Sequence, residues 1–219
     1  MAPQELHLQA ANALSAIPSE QGIDHAFIGG FAVNLLGCQR NTADIDVEID
    51  FANIIDLRTR IADPVLGGDP RFRIEHNKFV FTPADQEIQI PIETLVIGDL
   101  GLPRQLRVIR PGNTDIPILR PGILVLTKIK RCVHFVGSTR PKSIAKLRQD
   151  LVDVEFLLRW LAEHDQKMDF VGYSSLNVDR LYLAVKSLRE YWEGDGRDDL
   201  IQLLDSVLEV DDQKKVSGA

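Results

Sequence analysis

The chain has 219 residues, 44% hydrophobic and 26% charged, the balance of a globular protein with one sizeable core or two small ones. No run of about 18 apolar residues occurs, and the opening MAPQELHLQA has neither a basic region nor an apolar stretch, so the expectation is a cytoplasmic protein with no membrane span and no secretory signal. The net charge of −7 is uneven: from Leu100 to Gln149 eleven basic residues face one acid, Asp115, a local +10 that leaves −17 elsewhere and keeps an anionic partner open.

Leu6, Ala10, Leu14 and Ile17 recur at helical spacing and Pro18 follows, so residues 4–17 read as an amphipathic helix. A short strand over 26–28 meets Gly29 and Gly30, then FAVNLLG reads as a short helix closed by Gly37, a residue type that supplies left-handed caps. Residues 43–49 alternate as a strand, and Phe51, Ile54, Ile55, Leu57 and Ile61 fit another helix before a Pro- and Gly-rich loop. Phe72 and Ile74, then Phe79 and Phe81, alternate on either side of His76-Asn77 and predict a hairpin. A third strand runs from Glu87 to about Ile97, with Ile88, Ile90 and Ile92 on one face, and Pro91 suggests an edge or a bulge. Residues 98–113 read as a loop, IPIL as a brief strand, and Pro121 suits the start of a helix reaching about Phe135. Leu147, Leu151, Val154, Leu158 and Leu161 define a long amphipathic helix over 142–164, with Lys146 and Asp150 as an i,i+4 surface pair. Two further helices over 175–192 and 197–210 precede a tail, DDQKKVSGA, expected to fray. The reading is α+β: a mixed β-sheet core over 1–119 flanked by helices, then a helical region over 120–219.

Cys38 and Cys132 match no metal-ligand spacing and are too few for a disulfide framework, so they read as reduced thiols. The five histidines show no paired ligand spacing and read as structural, and Tyr182, Tyr191 and Trp192 as helix packing.

The chemistry lies in FIGGFAVNLLGCQRNTADIDVEID, residues 27–50. Side chains alternate in a strand, so Asp44 and Asp46 share one face while Ile45, Val47 and Ile49 take the core side. Like charges so close would raise one pKa or destabilise the strand unless a cation lies between them, and oxygen-only ligands suit magnesium or manganese. Gly29-Gly30 ends a strand and opens a helix, which leaves N–H groups for an anion with no Cβ in the way. Together the two features describe a triphosphate on the turn and metals on its oxygens.

FIGG, thirteen residues (31–43) and DIDV resemble the signature of the nucleotidyltransferase superfamily related to DNA polymerase β. Ala32, Gly37, Arg40 and Thr42 extend the likeness to small nucleotidyltransferases of the minimal and AbiEii-like kinds. The resemblance implies Asp44 and Asp46 as ligands of divalent metal and a third carboxylate on a later strand. EIQIPIETL offers Glu93, or Glu87, and no Asp there. It further implies Gly29, Gly30, Arg40, Thr42 and Lys128 as nucleotide-binding residues; Glu48, on the Asp46 face, is a more distant candidate for the third carboxylate and reads rather as a solvent-facing partner. The implied reaction moves NMP from an NTP to the hydroxyl of a small molecule, protein or RNA, with Mg2+ or Mn2+ and release of pyrophosphate. The missing third Asp leaves a catalytically impaired nucleotide-binding or protein-interaction relative as the alternative.

Overall fold

The computed structural model describes residues 3–84, 86–112 and 114–217. The chain divides into two compact units, Met1–Leu100 with Val108–Leu119, and Gly101–Arg107 with Arg120–Ala219. The element order is α+β throughout.

The first unit holds α1 (Pro3–Glu20), β1 (His25–Ile28), α2 (Gly29–Leu35), β2 (Ile45–Ile49), α3 (Ile54–Ala62), β3 (Phe72–Glu75), β4 (Lys78–Phe81), β5 (Ile90–Val96), β6 (Val108–Ile109) and β7 (Ile118–Leu119). The seven strands form one mixed sheet in the order β3-β4-β5-β2-β1-β7-β6. Pairing is parallel at β2/β5 and β1/β7 and antiparallel elsewhere. Register partners share a face, so one face carries Phe27, Val47 and Thr94 and the other Ile28, Asp46 and Glu93. The three helices pack on the first of these. Phe31 of α2 meets Phe27 edge to face at 5.5 Å, Ser15 of α1 bonds His25 at 2.7 Å, and Arg58 of α3 donates to the Thr94 hydroxyl at 2.6 Å. Ile45, Val47 and Ile49 are fully buried there, and each such side chain contributes roughly 1.5–3 kcal/mol on burial.

Several expectations shift. α1 continues through Pro18 to Glu20 and stops at Gly22, whose φ is +67°; a proline in the last turn forfeits only one N–H bond. The hairpin forms as read, with His76 and Asn77 both at positive φ, the geometry of a two-residue turn that matches strand twist. β5 starts at Ile90, leaving Ile88 exposed, and it is an inner strand rather than an edge. Pro91 is tolerated because β2 begins to pair only at Ile92. Within the expected 98–113 loop, Val108 and Ile109 pair with β7 as a strand too short to show a period.

His25 carries a pH dependence. Burial holds its imidazole below the ordinary value, against the opposing pull of its bond to the Ile23 carbonyl. The fold thus keeps the ring neutral, while the unfolded chain takes up a proton below about pH 6.5. Stability should fall as pH drops from about 7 through 6.5 toward the depressed folded value. Unfolding free energies measured across that range should show a shallower acid loss for His25→Gln than for the wild type; equal slopes would show that His25 contributes nothing.

The second unit is helical: α4 (Pro121–Cys132), α5 (Pro141–Glu163), α6 (Asp179–Gly194), α7 (Asp198–Ser206) and α8 (Val210–Ser217). The tail expected to fray is α8, held by buried Val216 and by Tyr182, whose hydroxyl donates to Asp212 at 2.6 Å and accepts from Lys215 at 3.1 Å; its last two residues lie outside the described ones. Tyr182 also stacks on Phe170 at 4.3 Å, and Trp192 is buried, so these aromatics pack the unit as expected. No helix among the described residues is long and apolar enough to cross a membrane.

Candidate active site

The site forms where β1 turns into α2. Gly29 has φ +66°, the left-handed region in which only glycine is unstrained. Ile28 is the register partner of Asp46, so the Asp46 carboxylate lies over this turn, and a Cβ at Gly29 would overlap its Oδ2. A Cβ at Gly30 would overlap the Arg40 guanidinium and come within 2.8 Å of the Thr42 hydroxyl oxygen. The glycines, the acid and the Arg/Thr pair are therefore parts of one packed constellation, although ten or more positions separate the glycines from the other three along the chain.

The connecting loop is braced from within. Asn34 Nδ2 donates to the Arg40 carbonyl at 2.9 Å, Arg40 Nη1 to the Asn41 carbonyl at 2.9 Å, and the Thr42 hydroxyl to the Asp44 carbonyl at 3.2 Å, with Asp44 Oδ1 at 3.5 Å. Asp44 is exposed just ahead of β2, and Asp46 is half-buried.

Glu93 is the register partner of Asp46 on the adjacent parallel strand, which sets their Cα atoms about 4.8 Å apart with both side chains on the face away from α1–α3. Glu87 precedes β5 and belongs to no strand. Geometry thus brings Glu93, rather than Glu87, to Asp46. Glu48, expected at the solvent, is fully buried on that same face; alternation fixed its side but not what covers it. Asp44, Asp46 and Glu93 offer the all-oxygen donor set of a hard dication. Among the described residues, however, no three acids, histidines or cysteines converge closely enough to hold one ion.

Lys128, expected at a nucleotide, is buried in the second unit. It is 2% exposed within the second unit, with Nζ 2.6 Å from Asp153 and 3.6 Å from Asp150, and Arg131 closes the group on Asp150 with two bonds from its guanidinium. Burial pushes the Lys128 ammonium below its usual value, and the Asp153 carboxylate draws it back up. The expected surface pair of Lys146 and Asp150 gives way to this cluster, since Asp150 is 1% exposed. Cys132 on the same helix is buried, its thiol pushed up to about 12 chiefly by burial, so it is inert at neutral pH. Lys130 donates to the Gly101 carbonyl and lies 3.4 Å from the Tyr173 hydroxyl, so three of the eleven cations counted in the basic stretch are engaged within their own unit.

No protein-family model and no curated protein matches the sequence. A solved structure does: that of an antigenic nucleotidyltransferase-like protein from Paracoccidioides brasiliensis, with a TM-score of 0.64 over 92% of this chain and 93% of that one, at 17% identity. The fold is nucleotidyltransferase-like. At that identity the likeness carries the architecture, and the roles of individual residues rest on their own geometry.

Within this nucleotidyltransferase-like fold the constellation opens onto a cleft of about 410 Å3 shared by α1, α2 and residues 38–42, with Arg40 and Thr42 on its wall. His7, 9% exposed, and Asn34 also line it. Sequence reasoning read His7 as structural and gave Asn34 no role, because one polar residue on a largely apolar helix face carries no motif.

The turn itself is testable. Gly29→Ala places a methyl group at positive φ and against a carboxylate, so it should destabilise the fold by about 1–3 kcal/mol. Gly22→Ala is the control: its φ is +67°, with nothing within 4 Å of the added Cβ. Urea denaturation should separate the two, with the additional loss in Gly29→Ala reporting the Asp46 contact; equal losses would mean that backbone strain alone is at work.

Proposed function

We propose that this protein is a nucleotidyltransferase, which transfers NMP from an NTP to an acceptor hydroxyl and releases pyrophosphate. The observation that carries the reading is the packing of Asp46 on Gly29 together with Arg40 and Thr42 on Gly30, which sets an anion-accepting turn between negative and positive side chains. The likeness in architecture to a nucleotidyltransferase-like protein supports it.

The chain's own groups divide the work by charge. The Arg40 guanidinium and the Thr42 hydroxyl meet phosphate oxygens, and the N–H groups opening α2 add donors that need no reorganisation. Asp44 and Asp46 would hold a divalent cation, magnesium or manganese, and the cation would offset charge on the phosphates. Glu93, exposed at the register position of Asp46, accepts the proton of the incoming hydroxyl. Incubation of the protein with magnesium, each α-labelled NTP and a cell extract should label an acceptor and release pyrophosphate. Absence of both, with all four NTPs, would overturn the reading.

One observation favours a second reading. Glutamate stands where the resemblance implies aspartate, and the three carboxylates do not converge as a set among the described residues. A relative that binds nucleotide without turning it over would show cation-dependent thermal stabilisation by NTP and no pyrophosphate.

A further inference from the structure

The cleft beside Arg40 lies wholly in the first unit, and its volume of about 410 Å3 is within the roughly 300–1,000 Å3 typical of small-molecule sites. Its position relative to the charged groups determines what it meets. Asp46 flanks the turn at Gly29 and Arg40 flanks it at Gly30. On the nucleotidyltransferase reading, on which this inference rests, the phosphate tail lies along that turn. The terminal phosphate carries the most negative charge, and the Arg40 guanidinium is the cationic side chain packed at that turn, so it draws that phosphate. The tail therefore runs from the acids toward Arg40 and Thr42, the same two residues that wall the cleft.

The lining is chemically specific. Leu8, Phe31 and Leu35 give the cleft an apolar wall, and the amides of Gln4, Gln39 and Asn41 supply donors and acceptors near one another. No carboxylate lines it among the described residues, so nothing there repels a second phosphate-bearing group. An apolar wall with neutral amides and a single cation suits a heteroaromatic ring with hydrogen-bonding edges, attached through phosphate.

We propose that this cleft is a second binding site, which takes the far-end nucleoside of a capped nucleoside polyphosphate. Diadenosine tetraphosphate is the probe and ATP the reference. Titration calorimetry with magnesium should show the wild type binding diadenosine tetraphosphate at least about fivefold more tightly than ATP, since only the capped ligand fills the cleft. Leu8→Trp and Gln39→Trp each fill the cleft from a different wall. Each should weaken the capped ligand by about tenfold or more while leaving ATP within about twofold. Gln39 is exposed on the loop, so its variant keeps the test valid if Leu8→Trp fails to fold. Binding of ATP without tighter binding of the capped ligand, or equal weakening of both by Gln39→Trp, overturns the proposal and leaves the nucleotide reading standing. Failure of both ligands to bind overturns the proposal, and failure of the other three NTPs as well overturns the nucleotide reading with it.

Discussion

Asp46→Asn should lower nucleotidyl transfer by roughly 10²–10³-fold while leaving the fold intact, the magnitude expected when one preorganised charged group is lost at a phosphoryl centre. The substitution keeps the shape that fills the space over Gly29 and removes only the charge. It therefore separates two roles that Gly29→Ala confounds, the steric fit of the turn and the electrostatics above it. Two readouts check it. Label transfer to the acceptor should collapse, and thermal stabilisation by NTP should lose its dependence on magnesium, because an amide is a far weaker ligand for a hard dication. Urea unfolding without nucleotide should remain within about 1 kcal/mol of the wild type, as for a substitution that preserves shape. Undiminished labelling by Asp46→Asn would sink the catalytic assignment, whatever the variant's stability. Glu93→Gln should act differently: if Glu93 accepts the proton, its variant loses turnover but keeps magnesium-dependent binding of NTP.

How much of this was legible beforehand depends on the range of the interaction. Alternation around Asp46 showed which face its side chain takes, because a period of two is a local property, and the buried Ile45, Val47 and Ile49 bear it out, whereas Asp44 lies ahead of the strand. The hairpin at His76-Asn77 was readable for the same reason. Pairing order was not. Nothing in EIQIPIETL states that β5 lies between β4 and β2, so Pro91 suggests an edge or a bulge, whereas the missing N–H is tolerated by register. Glu93 and Glu87 have the same parity, and only the pairing of β5 with β2 distinguishes them. The Gly29–Asp46 contact explains why the glycines and the acid occur together, and a phosphate-binding role had seemed sufficient reason for the glycines. The turn must be glycine even in the absence of any ligand, since a Cβ would displace the carboxylate.

Lys128 shows the limit most plainly, and its variants should have the largest effect on stability. A lysine on an amphipathic helix is ordinarily a solvated charge whose stem covers apolar surface. Here the ammonium is 2% exposed and faces two aspartates that are 1% and 0% exposed. Lys128→Met leaves Asp153 buried without its closest cation, which should cost about 3–5 kcal/mol. Asp153→Leu alone should cost a similar amount, because it strips Lys128 of the partner at 2.6 Å. The double variant Lys128→Met with Asp153→Leu removes one charge of each sign and leaves Arg131 paired with Asp150. Replacing a buried ion pair by apolar side chains of similar volume is often neutral or stabilising, so the double variant should recover most of either single loss, with a coupling of several kcal/mol. Denaturant unfolding of the four proteins in the cycle measures this directly. Additive losses would place Lys128 outside the ion pair and restore it as a candidate for ligand contact, whereas strong coupling fixes it as part of the interior of its own unit.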